Sequence, residues 1–128
     1  SLGAVTVGDN FSVTGVIQYS VERITAAGGG LTVSPSGNVD TVFISTTLGS
    51  GAAATGILPN GTIDGRIIRL VCSNYVVDYE LSVLAGYSAS GAVVSKFVFQ
   101  SRGQSAVLVW DATLAAWLII GGSGVGVL

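Results

Sequence analysis

Nineteen glycines and nineteen valines stand in a chain of 128 residues that has one lysine, two glutamates and three glutamines. Glycine costs a helix interior about 1 kcal/mol relative to alanine, and β-branched side chains lose rotamer freedom against the preceding turn. Lys, Glu and Gln, from which helix surfaces are made, are nearly missing. The chain therefore reads as all-β. Its clearest strand pattern spans residues 11–23, where Phe11, Val13, Ile17, Tyr19 and Val21 fall on one face and Ser12, Thr14, Gln18, Ser20 and Glu22 mainly on the other. That period of two belongs to a half-buried strand. Shorter strands are expected at residues 31–34, 41–46, 63–73, 79–84, 93–100, 106–110 and 116–120. This spacing predicts an antiparallel β-sandwich, jelly-roll-like, in a single domain covering residues 1–128.

The breaks between these runs carry turn chemistry. Gly28-Gly29-Gly30, Pro35-Ser36-Gly37-Asn38, Pro59-Asn60-Gly61 and Ser101-Arg102-Gly103 supply positive φ angles and the fixed φ of proline. Residues 48–56, small and bland, read as a loop rather than as a strand lying close to a partner backbone. Residues 121–128 fit either an extended segment along a neighbouring chain or a frayed terminus. Two apolar runs around Asp111 predict a hairpin with Trp110 and Trp117 near its tip.

Composition then bears on partners. Residues are 49% hydrophobic and only 9% charged, against roughly 25% charged in ordinary domains. A domain of this length still leaves about a third of its unfolded surface in water. Monomers rarely expose apolar patches beyond a few hundred Å², so self-association is expected. A net charge of −2 without a basic run gives no footprint for nucleic acid. The longest apolar stretch, residues 106–120, is interrupted by Asp111 and Thr113 and falls short of a membrane span, so no membrane insertion is expected. No cationic, apolar leader opens the chain. The missing Met reads as the mark of a piece of something longer.

The absence of histidine removes the usual general base and the usual metal ligand. Lys96, the single lysine, has no serine three residues before it, so a Ser-x-x-Lys dyad is missing too. Asp78 and Glu80 share a strand face, a spacing that fits a carboxylate pair in principle and a solvated edge more simply. Cys72, alone among apolar neighbours, reads as a buried thiol rather than as half of an interchain disulfide. No Gly-Lys-Ser or Gly-Lys-Thr marks a phosphate loop. No enzymatic activity, cofactor or metal is expected. What remains are aromatic and polar residues near turns. Tyr75 and Tyr87 offer flat faces for a sugar ring, with Asn74, Arg102 and Gln104 as hydrogen-bonding neighbours. Trp110 and Trp117 read as core.

Residues 64–71, Asp-Gly-Arg-Ile-Ile-Arg-Leu-Val, and residues 103–117, Gly-Gln-Ser-Ala-Val-Leu-Val-Trp-Asp-Ala-Thr-Leu-Ala-Ala-Trp, together resemble the terminal domains of bacteriophage tail fibres and of related fibre or spike proteins of large DNA viruses. Arg66, Gln104 and Ala112 depart from the residues usual at those places, and two additional residues widen the hairpin before Trp117. The resemblance implies a homotrimeric β domain at the virion surface, from the C-terminal part of a longer fibrous protein. Its expected work is assembly and attachment to a host-surface glycan or receptor. Two other readings fit the residues: a stand-alone carbohydrate-binding β-sandwich, and a capsid or scaffold jelly roll whose partner is itself.

Overall fold

The computed structural model of the chain describes residues 3, 6, 8–16, 19–47 and 51–128. All regular structure among them is β. Strand β1 (Val21–Ala27) lies parallel to β2 (Thr41–Thr47), and β2 lies parallel to β4 (Ile67–Asn74). In a second sheet β3 (Ala54–Leu58) lies parallel to β5 (Tyr79–Val83), and the segment between β1 and β2 adds one parallel bridge, Thr32 to Thr55. The chain thus alternates between two sheets. Each circuit stacks on the one before: β1 with the Thr32 segment, β2 with β3, and β4 with β5. This is a parallel coil of three turns, in which each turn pairs its strands with those of the turns beside it.

After β5 the direction reverses. A two-residue strand, β6 (Gly86–Tyr87), precedes β7 (Lys96–Phe99), which runs antiparallel to β5, and β8 (Ser105–Asp111), which runs antiparallel to β4. The hairpin partner β9 (Ala116–Ser123) then lies beside β8, and β10 (Gly126–Val127) beside β7. The first sheet has the order β1-β2-β4-β8-β9-β6 and the second β10-β7-β5-β3. At about 4.8 Å per strand the larger sheet is about 24 Å wide. Both sheets are mixed, so the antiparallel, jelly-roll-like arrangement expected from the sequence is corrected. Alternation reports that a strand has one buried face; it does not report the direction of the neighbour.

Inward residues of both sheets form one apolar cluster, sandwich-like: Ile24, Val42, Ile44, Ile68, Leu70, Leu108, Trp110 and Trp117 from the larger sheet, and Leu58, Tyr79, Leu81, Phe97 and Phe99 from the smaller. Thr46, beside this cluster, is the fully buried polar residue among the described ones. Its Oγ1 accepts the backbone N–H groups of Val76 at 2.9 Å and Val77 at 3.2 Å, holding the connection from β4 to β5 against β2. Cys72 is buried as expected. Burial pushes its thiol pKa up, which disfavours the thiolate needed for disulfide exchange.

Several expectations change in detail. Among residues 11–20 the described ones form no strand, and Ile17 and Gln18 lie outside the described residues. In β1 the buried side chains are Ile24 and Ala26 while Val21 is exposed, the opposite phase from the expected face. A shift of one residue exchanges the two faces of a strand. Residues 31–34 make only a bridge, and the strands expected at residues 63–73 and 93–100 begin at Ile67 and Lys96. The stretch read as a loop contains the first half of β3, while residues 48–50 lie outside the described residues. The tail is not frayed but pairs within its own chain. Gly126 and Val127 pair with Val98 and Phe97 of the same molecule, and Leu128 exchanges backbone bonds with Lys96.

The hairpin is observed as expected, with Trp110 opposite Trp117. Asp111 Oδ1 accepts the N–H groups of Thr113 and Leu114 at its tip. Ala115 closes the turn at φ 52°, a left-handed conformation that costs a side-chain-bearing residue about 1–2 kcal/mol. Ala115→Gly removes that cost and adds about 0.5–1 kcal/mol of unfolded-state entropy. A net gain of about 0.5–1 kcal/mol is expected by chemical denaturation, and a loss would contradict the geometry.

Candidate functional site

The residues singled out by sequence separate into two places. Asn74, at the end of β4, accepts a hydrogen bond from Arg102 Nη2 at 2.8 Å and donates to the Thr46 carbonyl at 3.4 Å. Tyr75 donates its hydroxyl to Asp78 Oδ1 at 2.8 Å, and Gln100 Nε2 donates to Asp78 Oδ2 at 3.2 Å. Gln104 Oε1 accepts the Gln100 N–H, and Gln104 O accepts the Cys72 N–H. The sheet therefore brings Asn74, Tyr75, Arg102 and Gln104 to one end, where their polar groups largely satisfy one another. The hydrogen bond donated to Asp78 raises the Tyr75 pKa, because that bond needs the proton on the hydroxyl, and the carboxylate charge adds to it. Tyr87 sits elsewhere, in β6 beside Leu118. Glu80 is engaged by Lys96 at 2.6 Å, so Asp78 and Glu80 serve separate contacts. Among the described residues no group of three or more His, Cys, Asp or Glu side chains stands together as a metal site.

A more open constellation lies at the opposite end of β4. The turn at Asp64 and Gly65 separates two hollows. One, of about 400 Å³, is lined by Tyr19, Asp40, Ile63, Arg66 and Arg69 together with the turn. The other, of about 370 Å³, is lined by Val109, Trp110, Asp111, Thr113 and Leu118 with the same turn. Parallel pairing builds the first hollow: Thr41 stands opposite Arg69, so Asp40 arrives beside the arginines from 26 positions earlier in the chain. Asp40 also clips the entry of β1 to that of β2, accepting the Ser20 N–H at 2.8 Å and its hydroxyl at 2.9 Å. Arg66 approaches Asp40 at 3.9 Å, and the Arg66 Nε is buried without a partner among the described residues.

These contacts set the electrostatics. The Ser20 N–H holds the Asp40 pKa below its ordinary value, and the Ser20 hydroxyl, Arg66 and Arg69 add to this against a desolvation penalty. A depressed folded-state pKa means that the stabilisation is fully present above the ordinary carboxylate range and is lost as pH falls through the folded value. Asp40→Asn is therefore expected to flatten the fall of stability below about pH 4, measured by denaturant midpoints across the acid range. An unchanged acid limb would contradict the role given to Asp40.

Three carboxylates (Asp40, Asp64, Asp111) and two guanidinium groups (Arg66, Arg69) leave the trough without a strong charge. Asp64 Oδ1 accepts the Ala112 N–H and Asp111 Oδ1 serves its own turn, leaving an oxygen on each with no partner among the described residues. Donors and acceptors thus alternate beside the apolar ledges of Tyr19, Ile63 and Leu118. Such a mixture suits hydroxyl groups, which donate and accept, above a carbon face. The sequence did carry a signal for this place: a charge-poor chain concentrates Asp64, Arg66 and Arg69 within six positions. Asp40 could not be assigned to it without knowing that β2 and β4 are parallel. Neither a protein-family model nor a curated protein sequence matches the chain.

Proposed function

We propose that this chain is a non-enzymatic structural domain of a virion fibre or spike, which assembles as a homotrimer and attaches to a host-surface glycan. The observation that carries the reading is the inequality of the two ends of the coil. At one end the antiparallel strands β7 to β10 turn the chain back on itself. At the other, β1 has β2 on one side and no strand on its second side among the described residues. Repeat coils need caps at free ends, and an uncovered edge is a template for pairing. An end-piece with one finished and one open end suits a place on a longer or assembled fibre. The low charge and the resemblance of residues 64–71 and 103–117 support the same assignment.

The trough around Asp64 and Gly65 is our candidate for attachment, a reading supported by the polar groups there that have no partner among the described residues. Arg69→Ala is expected to weaken binding on a glycan array at least tenfold, with Tyr75→Ala and Tyr87→Ala near wild type. Binding lost only in the tyrosine variants would move the site to them, and no glycan binding by the wild-type chain would remove attachment. The trough lies within a single chain, which favours a stand-alone carbohydrate-binding module as the second reading. A chain that binds glycan as a monomer would establish that reading instead.

A further inference from the structure

The segment before β1 has the sequence of a strand and the surroundings of none. Phe11 and Val13 alternate with Ser12 and Thr14, a pattern that ordinarily buries one face. Yet Phe11 is 71% exposed and Val13 43%, with Val16 at 90% and Tyr19 at 61% just beyond. Among the described residues, residues 11–14 make no backbone hydrogen bond. Gly15, at φ 104°, takes a conformation that favours glycine and breaks the extended line between this segment and β1. The pattern stands without a partner in the segment that leads towards β1, and one edge of β1 has backbone groups that are also unpaired among the described residues.

We infer that residues 11–14 form an assembly strand that adds to the free edge of β1 in a second copy of this chain. The inference rests on the assembly reading above and names the segment that performs it. Strand addition joins two rows of unpaired backbone groups, and alternate side chains then enter the neighbour's apolar face. Four residues can pair with about half of the edge of the seven-residue β1. The area is of the right order. Aromatic side chains bury 150–250 Å² each, so the exposed part of Phe11, at 71%, offers roughly 110–180 Å². Val13, Val16, Val21 and the strand backbone carry the sum towards the roughly 800 Å² per partner of a specific interface. A second copy is the occupant because it supplies the arm and the edge together, so each copy can give one and receive the other. In a cyclic trimer this closes without leaving a free strand.

The test uses the full chain carrying Phe11→Asp and Val13→Asp together, beside Leu84→Asp, which alters an equally exposed apolar residue (73%) outside the segment. Size-exclusion chromatography with light scattering should return the 12.8 kDa monomer mass for the double variant and the wild-type oligomer for Leu84→Asp. Unchanged near-ultraviolet dichroism from Trp110 and Trp117 would show that the fold persists. Hydrogen exchange on the wild-type oligomer should slow the amides of residues 11–14 at least tenfold, and dilution to monomer should abolish that protection. An oligomeric wild type whose mass survives in the double variant would overturn this inference and leave the assembly reading standing. A wild type that is monomeric at every concentration would overturn both. Protection that persists in the diluted monomer would mean that the arm pairs within its own chain, and would overturn it as well.

Discussion

Gly56→Ala is expected to cost about 3–5 kcal/mol, a large loss for a single methyl group. Gly56 is buried in β3, and a Cβ built there would overlap the Tyr79 hydroxyl and the Val33 carbonyl oxygen. Tyr79 is fully buried, and its hydroxyl reaches across Gly56 to donate to the Val33 carbonyl at 2.6 Å. This bond ties the Val33 segment of the first turn of the coil to β5 in the third. An alanine forces the ring or the β3 backbone to move, which costs about 1–3 kcal/mol as overpacking. Displacement of the hydroxyl leaves two buried polar groups unpaired, at about 1–3 kcal/mol more. Tyr79→Phe alone should cost about 1–2 kcal/mol. Once Tyr79→Phe has removed the hydroxyl, the Gly56→Ala loss should shrink by at least about 1 kcal/mol, because part of the collision is gone. Urea denaturation of the four proteins in this cycle decides the matter. A Gly56→Ala chain within about 0.5 kcal/mol of wild type, or strict additivity with Tyr79→Phe, would contradict the packing described.

Trp117→Ala is the second large effect, about 3–5 kcal/mol. The Trp117 ring is fully buried, stands edge-on to Trp110 with centroids 5.2 Å apart at 66°, and donates its Nε1–H to the Pro59 carbonyl at 3.0 Å. The Trp110 ring in turn occupies the space that a side chain at position 61 would need. The pair therefore joins the β8–β9 hairpin to the connection between β3 and β4, fastening the antiparallel cap to the parallel coil. Truncation opens a cavity, removes the edge-to-face contact and orphans the Pro59 carbonyl. Trp117→Phe keeps most of the ring but not the donor, and should cost about 1–2 kcal/mol. Equal losses for the alanine and phenylalanine variants would show that the hydrogen bond, not the ring, is what matters.

The same residues show how far the sequence could be read. β2, β4, β5, β8 and β9 were legible because each carries alternation or a continuous apolar run. The Trp110–Trp117 pair was legible because a turn-forming Asp separates two such runs. The direction of β1, β2 and β4 was not, since a parallel and an antiparallel neighbour bury the same face. β3 was missed because Ala54 and Gly56 are small, and at Gly56 the reason lies elsewhere in the chain, in the reach of Tyr79 to Val33. Thr46 gave no signal, as the N–H groups it satisfies come 30 and 31 positions later. The trough was half legible, its Asp64, Arg66 and Arg69 being neighbours in sequence and Asp40 not. At residues 11–14 the pattern of a strand is present without a partner in the chain, and the assembly strand proposed here is the account of that mismatch.

The solution mass of the wild-type chain bears most directly on all of this. Sedimentation equilibrium across a hundredfold range of concentration should give three times the 12.8 kDa of one chain, dissociating, if at all, only at the dilute end. A single 12.8 kDa species throughout would contradict the reading of this chain as an assembling fibre domain.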